Sequence, residues 1–583
     1  MKRWSLALLA LPLVGAGPAS LIVGVVHDQY GQPIAGAHVR YQAQDGTTDA
    51  SGTFALPGGA PGTLVISCEY CRTETVSIQP GEPVLAIVHR NDALAQDTPS
   101  DRDIAALHYS SAASALTLRP YAILNDSSTP LPGPRVSLYG VSPFWGGLLI
   151  DDGVPSYDVA AGSSTFSFLP AAATQRTSYE QPQGAFRYGD NAGAGTFFID
   201  TRPDRGTPAD VFAGDERGVR FGESSGAFSG SVESSATSAD SRDRADATLQ
   251  IPLGDDSLSA TAIAASSRQF DATNKSLDAA WNAARIAYVH NGPAPVQASV
   301  IFDNSGYNGT LYEGAGVSAG WSDFEADASV RSGGAVHAFA DAGLRESTAF
   351  YSDPTVGATT AGTLAQTRID AGVQFTGSAF NATAGAGLFN FAYHGGNNGI
   401  DDPLSTHLIS PSVSLDYAVA PQWSAAFSSS EYFRLPSIAE IYAPPAASDV
   451  ELNKTPVSIA KLAYRDLRRL RLELVDVSGS VRAAGADLGW EVAPNIALRA
   501  WTYEFQNTPE STTATVNSFW ATYDNPGGLR IDAVERRDLI DSGENQHFDA
   551  AVSLPAGNHL RWFASTERRA LMRLYRTGIE FTP

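Results

Sequence analysis

The chain has 583 residues, with 39 lysines and arginines against 62 aspartates and glutamates, a net charge of −23. No basic surplus exists to neutralise phosphates, which excludes a nucleic-acid binder, and 43% hydrophobic with 10% aromatic content is too much for long disorder. Charged residues are only 17%, below the roughly 25% of soluble domains, and two cysteines make no disulfide scaffold.

Residues 1–20 have the layout of a secretory signal peptide. Lys2 and Arg3 form a basic start, Trp4 to Val14 an apolar stretch, and Gly15, Ala16, Gly17 and Ala19 a small-residue cleavage region. The apolar stretch is too short to span a bilayer comfortably. No later run of about 18 apolar residues occurs, so a membrane-spanning form has to be a closed barrel, whose backbone groups pair internally.

Residues 21–92 read as a small β-sandwich. Leu21 to Val26 is a β-branched run, followed by a turn around Gly31 to Pro33, the strand Ala37 to Tyr41, a turn at Asp49 to Gly52, and strands at Thr53 to Leu56 and Gly62 to Ser67. The pattern G-V-V-x-D-x-x-G-x-P-I-x-G-A followed by D-A-S-G-x-F resembles the carboxypeptidase regulatory-like domain, which implies an accessory, transthyretin-like sandwich. Cys68 and Cys71 form a lone C-x-x-C. A small disulfide across a turn at Glu69–Tyr70, free thiols, or metal and redox work all stay open, although a zinc site would need two further ligands.

Residues 93–202 begin with a polar linker, Asn91 to Asp103. The strand signal Arg135 to Tyr139 precedes Gly147 to Ile150, which runs into the turn Asp151-Asp152-Gly153-Val154-Pro155. Tyr188-Gly189 then leads through Gly193 and Gly195 to the apolar strand Phe197 to Ile199. In this order the pieces resemble the plug domain of TonB-dependent outer-membrane receptors, with Asp152, Gly153, Pro155, Tyr188, Gly189 and Gly195 at its motif positions. Tyr139 stands where that family usually has Arg, Ala194 replaces a Gly, and the region before Arg135 is short and poorly matched, so the plug reads as compact or partly degenerate.

Residues 203–583 look like one outer-membrane barrel. Ala365, Thr367, Ile369, Ala371, Val373 and Phe375 alternate with Gln366, Arg368, Asp370, Gly372 and Gln374. Val413 to Val419 and Phe548 to Leu554 alternate similarly. Short turns at 252–255, 420–422, 493–495 and 555–558 fit one face, and segments such as His394 to Ser405 fit longer outer loops. About 380 residues shared among 22 strands leave roughly 17 each, of which about 10 cross the membrane. The segment Ser410-Pro411 … Phe433-Arg434-Leu435-Pro436-Ser437-Ile438-Ala439-Glu440-Ile441-Tyr442 resembles the receptor-family barrel motif S-P-R-x-x-x-x-Y … F-R-x-P-S-x-x-E-x-Y, with Phe433, Arg434, Pro436, Ser437, Glu440 and Tyr442 in place. The last strand, Tyr575 to Phe581, ends in Pro583 where outer-membrane proteins usually carry an aromatic.

Other motifs read as structural. Gly316-Val317-Ser318-Ala319-Gly320 matches the hydrolase elbow G-x-S-x-G but lies in a strand region, not between strand and helix. Arg465, Arg468, Arg469 and Arg471 either attract an anion or line a polar lumen. Asp401 and Asp402 read as a solvated loop ahead of a calcium site, and the ten histidines contain no H-E-x-x-H.

The expected fold is an all-β membrane protein: a large antiparallel transmembrane barrel of about 22 strands, an internal plug and an N-terminal transthyretin-like sandwich. The resemblance implies a non-enzymatic receptor without cofactor, importing a siderophore, cobalamin or oligosaccharide cargo through the TonB–ExbB–ExbD complex. Its other partners would be outer-membrane lipid, lipopolysaccharide and the barrel-assembly machinery. No clear TonB box stands between Ile87 and Ala105. The alternative is a non-transporting outer-membrane protein used for binding, adhesion or envelope organisation.

Overall fold

A computed structural model describes strands between Leu21 and Val88, short stretches between Ala106 and Asp200, and most of the chain from Ala209 to Phe581. Residues 1–20, Cys68 and Cys71, Tyr188 and Gly189, and 433–454 lie outside the described residues. The chain divides into two compact units, Met1–Asp92 and Ala93–Pro583.

In the first unit two sheets face one another. One has the order Thr53–Pro57, Leu21–Asp28, Val84–Val88, the last pair running parallel; the other has the order Gln44–Thr47, His38–Tyr41, Gly62–Ser67, Glu74–Ile78. Period-2 burial follows from the sequence, since His38 and Arg40 are exposed while Val39 and Tyr41 are buried. Ile22, Val26, Phe54, Leu56, Leu64, Ile66 and Val84 complete the core between the sheets. Gly24 is required there, because a Cβ would stand 2.5 Å from the Val84 carbonyl oxygen.

The second unit is dominated by a closed antiparallel barrel of twenty-two strands of six to 19 residues, from Ala209–Gly214 to Met572–Phe581. Those two strands pair with each other, Ala209 opposite Phe581, and so leave no open edge. The longest strand, Ala358–Thr376, has 19 residues. At about 3.4 Å per residue and a tilt near 40° it rises roughly 50 Å, about twice the apolar band of such barrels.

Alternation sets the two faces. Ile369, Val373 and Phe375 are 58%, 52% and 39% exposed, whereas Gln366 and Asp370, at the alternate positions of the same strand, are buried. Ala209 and Phe581, which begin and end the barrel, and the turns at 254–255, 421–422 and 494–495 share one rim, the proximal rim. Around that rim the outer face carries aromatics, with Trp423 against Tyr464 at 4.9 Å and Phe375 against Phe380 at 5.6 Å, joined by Trp490 and Trp562. Such a girdle anchors a barrel at the interface between lipid and water.

One expectation fails. The stretch His394 to Ser405 is not a long outer loop: a strand continues to Asn397, Ile400–Asp401 pairs back onto it, and the next strand starts at Leu404. The wall keeps its ladder past the apolar band, so the hairpin closes far from the membrane. The other distal connections span two to five residues, from 480–481, 509–510, 541–542 and 570–571 up to 354–357 and 271–275, and 433–454 is the long one.

Candidate functional site: an inner segment against the barrel wall

Residues 93–202 supply a four-stranded sheet in the order Val154–Pro155, Gly147–Asp151, Gly195–Asp200, Arg176–Glu180. Leu149 lies opposite Phe197 in the parallel central pair, and both are buried. Gly147–Asp151 turns straight back into Val154–Pro155 through Asp152 and Gly153. Both turn residues have positive φ, 49° and 85°. This is what a two-residue hairpin of the Asp-Gly kind demands. The Asp152 amide donates to the Ile199 carbonyl at 2.9 Å, tying the turn to the central strand.

That turn meets the barrel wall. Arg244 Nη2 donates to Asp152 Oδ2 at 3.3 Å, and the two side chains are 1% and 0% exposed. Arg244 Nε also reaches Asp246 Oδ1 at 3.4 Å. A Cβ on Gly153 would stand 2.8 Å from Arg285 Nη1, so glycine serves both the φ angle and the close approach.

Three further contacts lie on strands beyond Arg530. Tyr109 Oη donates to Asp549 Oδ2 at 3.0 Å, and Arg536 Nη2 donates to the Ala122 carbonyl at 2.6 Å. His108 stacks on Phe563 with ring centroids 3.7 Å apart and planes 8° apart. Burial, with Arg576 and Arg561 nearby, pushes the His108 imidazole down from 6.5 to about 3, so it is neutral. All the wall residues named here occupy inward positions of the alternation, so the segment touches the inner face of the barrel.

Elsewhere the inner wall satisfies its own charges. Lys461 reaches Glu473 at 3.8 Å, Arg471 reaches Glu473 at 3.1 Å and Asp487 at 3.5 Å, and Arg499 reaches Asp487 at 2.6 Å. The Arg499 guanidinium also lies 5.0 Å over the Trp501 ring. Arg471 thus belongs to a lumen-lining network; Arg468 and Arg469 lie outside the described residues. Toward the distal rim the inner face is aromatic, with Phe389 stacked beside Phe391 and Tyr503 beside Phe505.

The structure therefore brings Asp152 and Gly153 to the wall, pairs Pro155 with Ile150, and places Gly195 opposite Gly147. The motif positions Phe433, Arg434, Pro436, Ser437, Glu440 and Tyr442 lie outside the described residues, as do Tyr188, Gly189 and the two cysteines. Gly316 to Gly320 lies within the strand Ala315–Arg331, between two antiparallel neighbours. No metal-binding group of acids, histidines or cysteines occurs among the described residues. Sequence reading missed Arg244 and Arg285, because nothing local distinguishes a wall arginine that meets the inner segment from one that meets the wall.

Comparison with solved structures agrees with this architecture. The alcaligin outer-membrane receptor FauA from Bordetella pertussis superposes with a TM-score of 0.67 at 12% identity, covering 83% of this chain and 93% of that one. The chain has the outer-membrane receptor fold. The copper transporter OprC (TM-score 0.68, 11% identity, 84% and 97% covered) shares this receptor fold. So does the ferric yersiniabactin uptake receptor FyuA from Yersinia pestis (TM-score 0.64, 13% identity, 84% and 98% covered). No protein-family model and no curated relative matches the sequence. On this fold, an apolar exterior and a proximal aromatic girdle are the surfaces a barrel presents to the outer membrane.

Proposed function

We propose that this chain is a TonB-dependent receptor that binds a small molecule at its distal mouth and imports it when residues 93–202 shift within the bore. The observation that carries the reading is the buried Asp152–Arg244 contact, which holds a separately folded sheet against the inner wall. A twenty-two-stranded barrel is too wide to be filled by its own side chains and needs such an occupant. Among siderophore, cobalamin and oligosaccharide cargo, the metal chelate comes first, because structural neighbours are named for alcaligin, copper and ferric yersiniabactin.

One observation favours the non-transporting alternative. Distal connections of two to five residues leave little beyond 433–454 to close over a ligand. Deleting residues 91–103, or collapsing the proton gradient, separates the readings: uptake of the cargo identified by mass spectrometry of the purified receptor should fall to background in both cases. Undiminished uptake would remove TonB coupling.

A further inference from the structure

On the outer face, where the strands pass out of the apolar band, a continuous polar row borders a line of small residues. Along several neighbouring strands the outward residues change from apolar to polar in the distal direction, and the boundary falls between Phe302 and Asn304, between Phe324 and Ser322, and between Leu344 and Glu346. The cross-strand registers set Asn282 opposite Asn304, Asn304 opposite Ser322 and Ser322 opposite Thr348. These four make an unbroken row of amides and hydroxyls across four strands. The row above it is small, with Ala280, Gly306 and Gly320 in successive register, and ends at Phe350, which is 46% exposed.

Small residues beside a projecting ring leave a depression. It forms an open groove of about 980 Å³, continued toward the apolar band by a second of about 470 Å³ that takes in Phe302, Phe324 and Glu346. Arg268 lies at its distal edge and is already paired with Asp278 at 2.5 Å. Among the described residues Glu346 has no ion-pair or hydrogen-bond partner. The groove thus offers amide and hydroxyl groups, a free carboxylate and one aromatic face, but no free cation.

We infer that this groove binds the sugar headgroup of an outer-leaflet glycolipid, with its acyl chains lying along Phe302, Phe324 and Leu344. Sugar hydroxyls both donate and accept, which matches asparagine amides, serine and threonine hydroxyls and a carboxylate. The Phe350 ring suits the C–H face of a pyranose. An anionic phosphate head would meet Glu346 and an already neutralised arginine, a combination that disfavours it. The position at the boundary of the apolar band is where a headgroup lies, and the apolar strip below it continues in the direction acyl chains run.

An alkyl maltoside serves as the probe. The receptor is purified in an amine-oxide detergent, checked for folding by its heat-dependent gel mobility, and titrated with dodecyl maltoside or phosphatidylglycerol under native mass spectrometry. Saturable binding of one maltoside is expected, tighter than the phospholipid and weakened about tenfold or more in Asn304→Leu/Ser322→Leu. Phe350→Ala removes only the ring, leaves the polar row intact, and should weaken binding several-fold. Equal binding by wild type and both variants, or preference for phosphatidylglycerol, would overturn the assignment. So would a wild-type dimer that Asn304→Leu/Ser322→Leu converts to monomer, since the groove would then be an interface between copies.

Discussion

Replacing Arg244 by methionine tests how the inner segment is held. The substitution keeps most of the aliphatic volume but takes the Arg244 guanidinium from the Asp152 carboxylate, which has 0% side-chain exposure. Breaking a buried ion pair from one side costs about 3–5 kcal/mol. At about 1.4 kcal/mol per factor of ten, the turn at Asp152 should open two to three and a half orders of magnitude more often. Asp152→Asn is milder, about 1–3 kcal/mol, because Arg244 keeps Asp246 and asparagine tolerates the positive φ. The double variant orphans no carboxylate at Asp152, so its cost should fall short of the summed single costs by about 2 kcal/mol. Hydrogen exchange of the amides of Asp152 and Ser156, which bond to Ile199 and Leu149, reads the opening directly in detergent. Protection in Arg244→Met within about threefold of wild type would refute the reasoning.

Acid should loosen the same segment through His108. Above pH 6.5 the imidazole is neutral whether docked or free; between 6.5 and about 3 only the free form takes up a proton, so docking weakens by about 1.4 kcal/mol per pH unit, roughly 2 kcal/mol at pH 5. His108→Asn should remove that slope from proteolysis measured between pH 7 and pH 5. On the outer face Ile369→Arg should destabilise the barrel by about 2–4 kcal/mol in refolding titrations into vesicles, while Thr359→Arg, ten residues nearer the distal rim on the same face, should cost under about 1 kcal/mol. Asp487→Asn leaves Arg471 and Arg499 short of a shared carboxylate and should lower barrel stability by about 3 kcal/mol, read as an earlier thermal transition.

How far the fold was legible depended on side-chain contrast. Strand 358–376 was readable because Ile369, Val373 and Phe375 alternate with Gln366, Arg368 and Asp370. On strand 256–270 the outward residues are largely Ala260, Ala262 and Ala264 and the inward ones include Thr261 and Ala265, so the two faces differ too little in polarity to show in a one-dimensional pattern. The Asp-Gly turn at 152–153 was legible for a local reason, since two consecutive positive φ angles select that dipeptide. Its partners were not, because Arg244 and Arg285 come from strands far along the chain and only closure of the barrel aims them inward. The misread loop at 394–405 has the same root: glycine and asparagine there look like a turn, yet Gly396 and Asn397 pair with Asp401 and Ile400 and extend the wall.

The charge arrangement inside the barrel constrains how an inner segment can move. Leaving a buried ion unpaired costs several kcal/mol, so a wall that depended on the segment for all its countercharges would release it only at great expense. Here Lys461, Glu473, Arg471, Asp487 and Arg499 satisfy one another across four adjacent strands. Arg530 with Asp532 and Arg536 with Asp538 do so within single strands. Contacts that displacement of the described segment breaks include those of the Asp152 carboxylate, the Ala122 carbonyl, the Tyr109 phenol and the neutral His108 imidazole. Arg244 retains Asp246 and Arg536 retains Asp538 when the segment leaves, so these two wall arginines keep a carboxylate partner while the Asp152 carboxylate gives up Arg244.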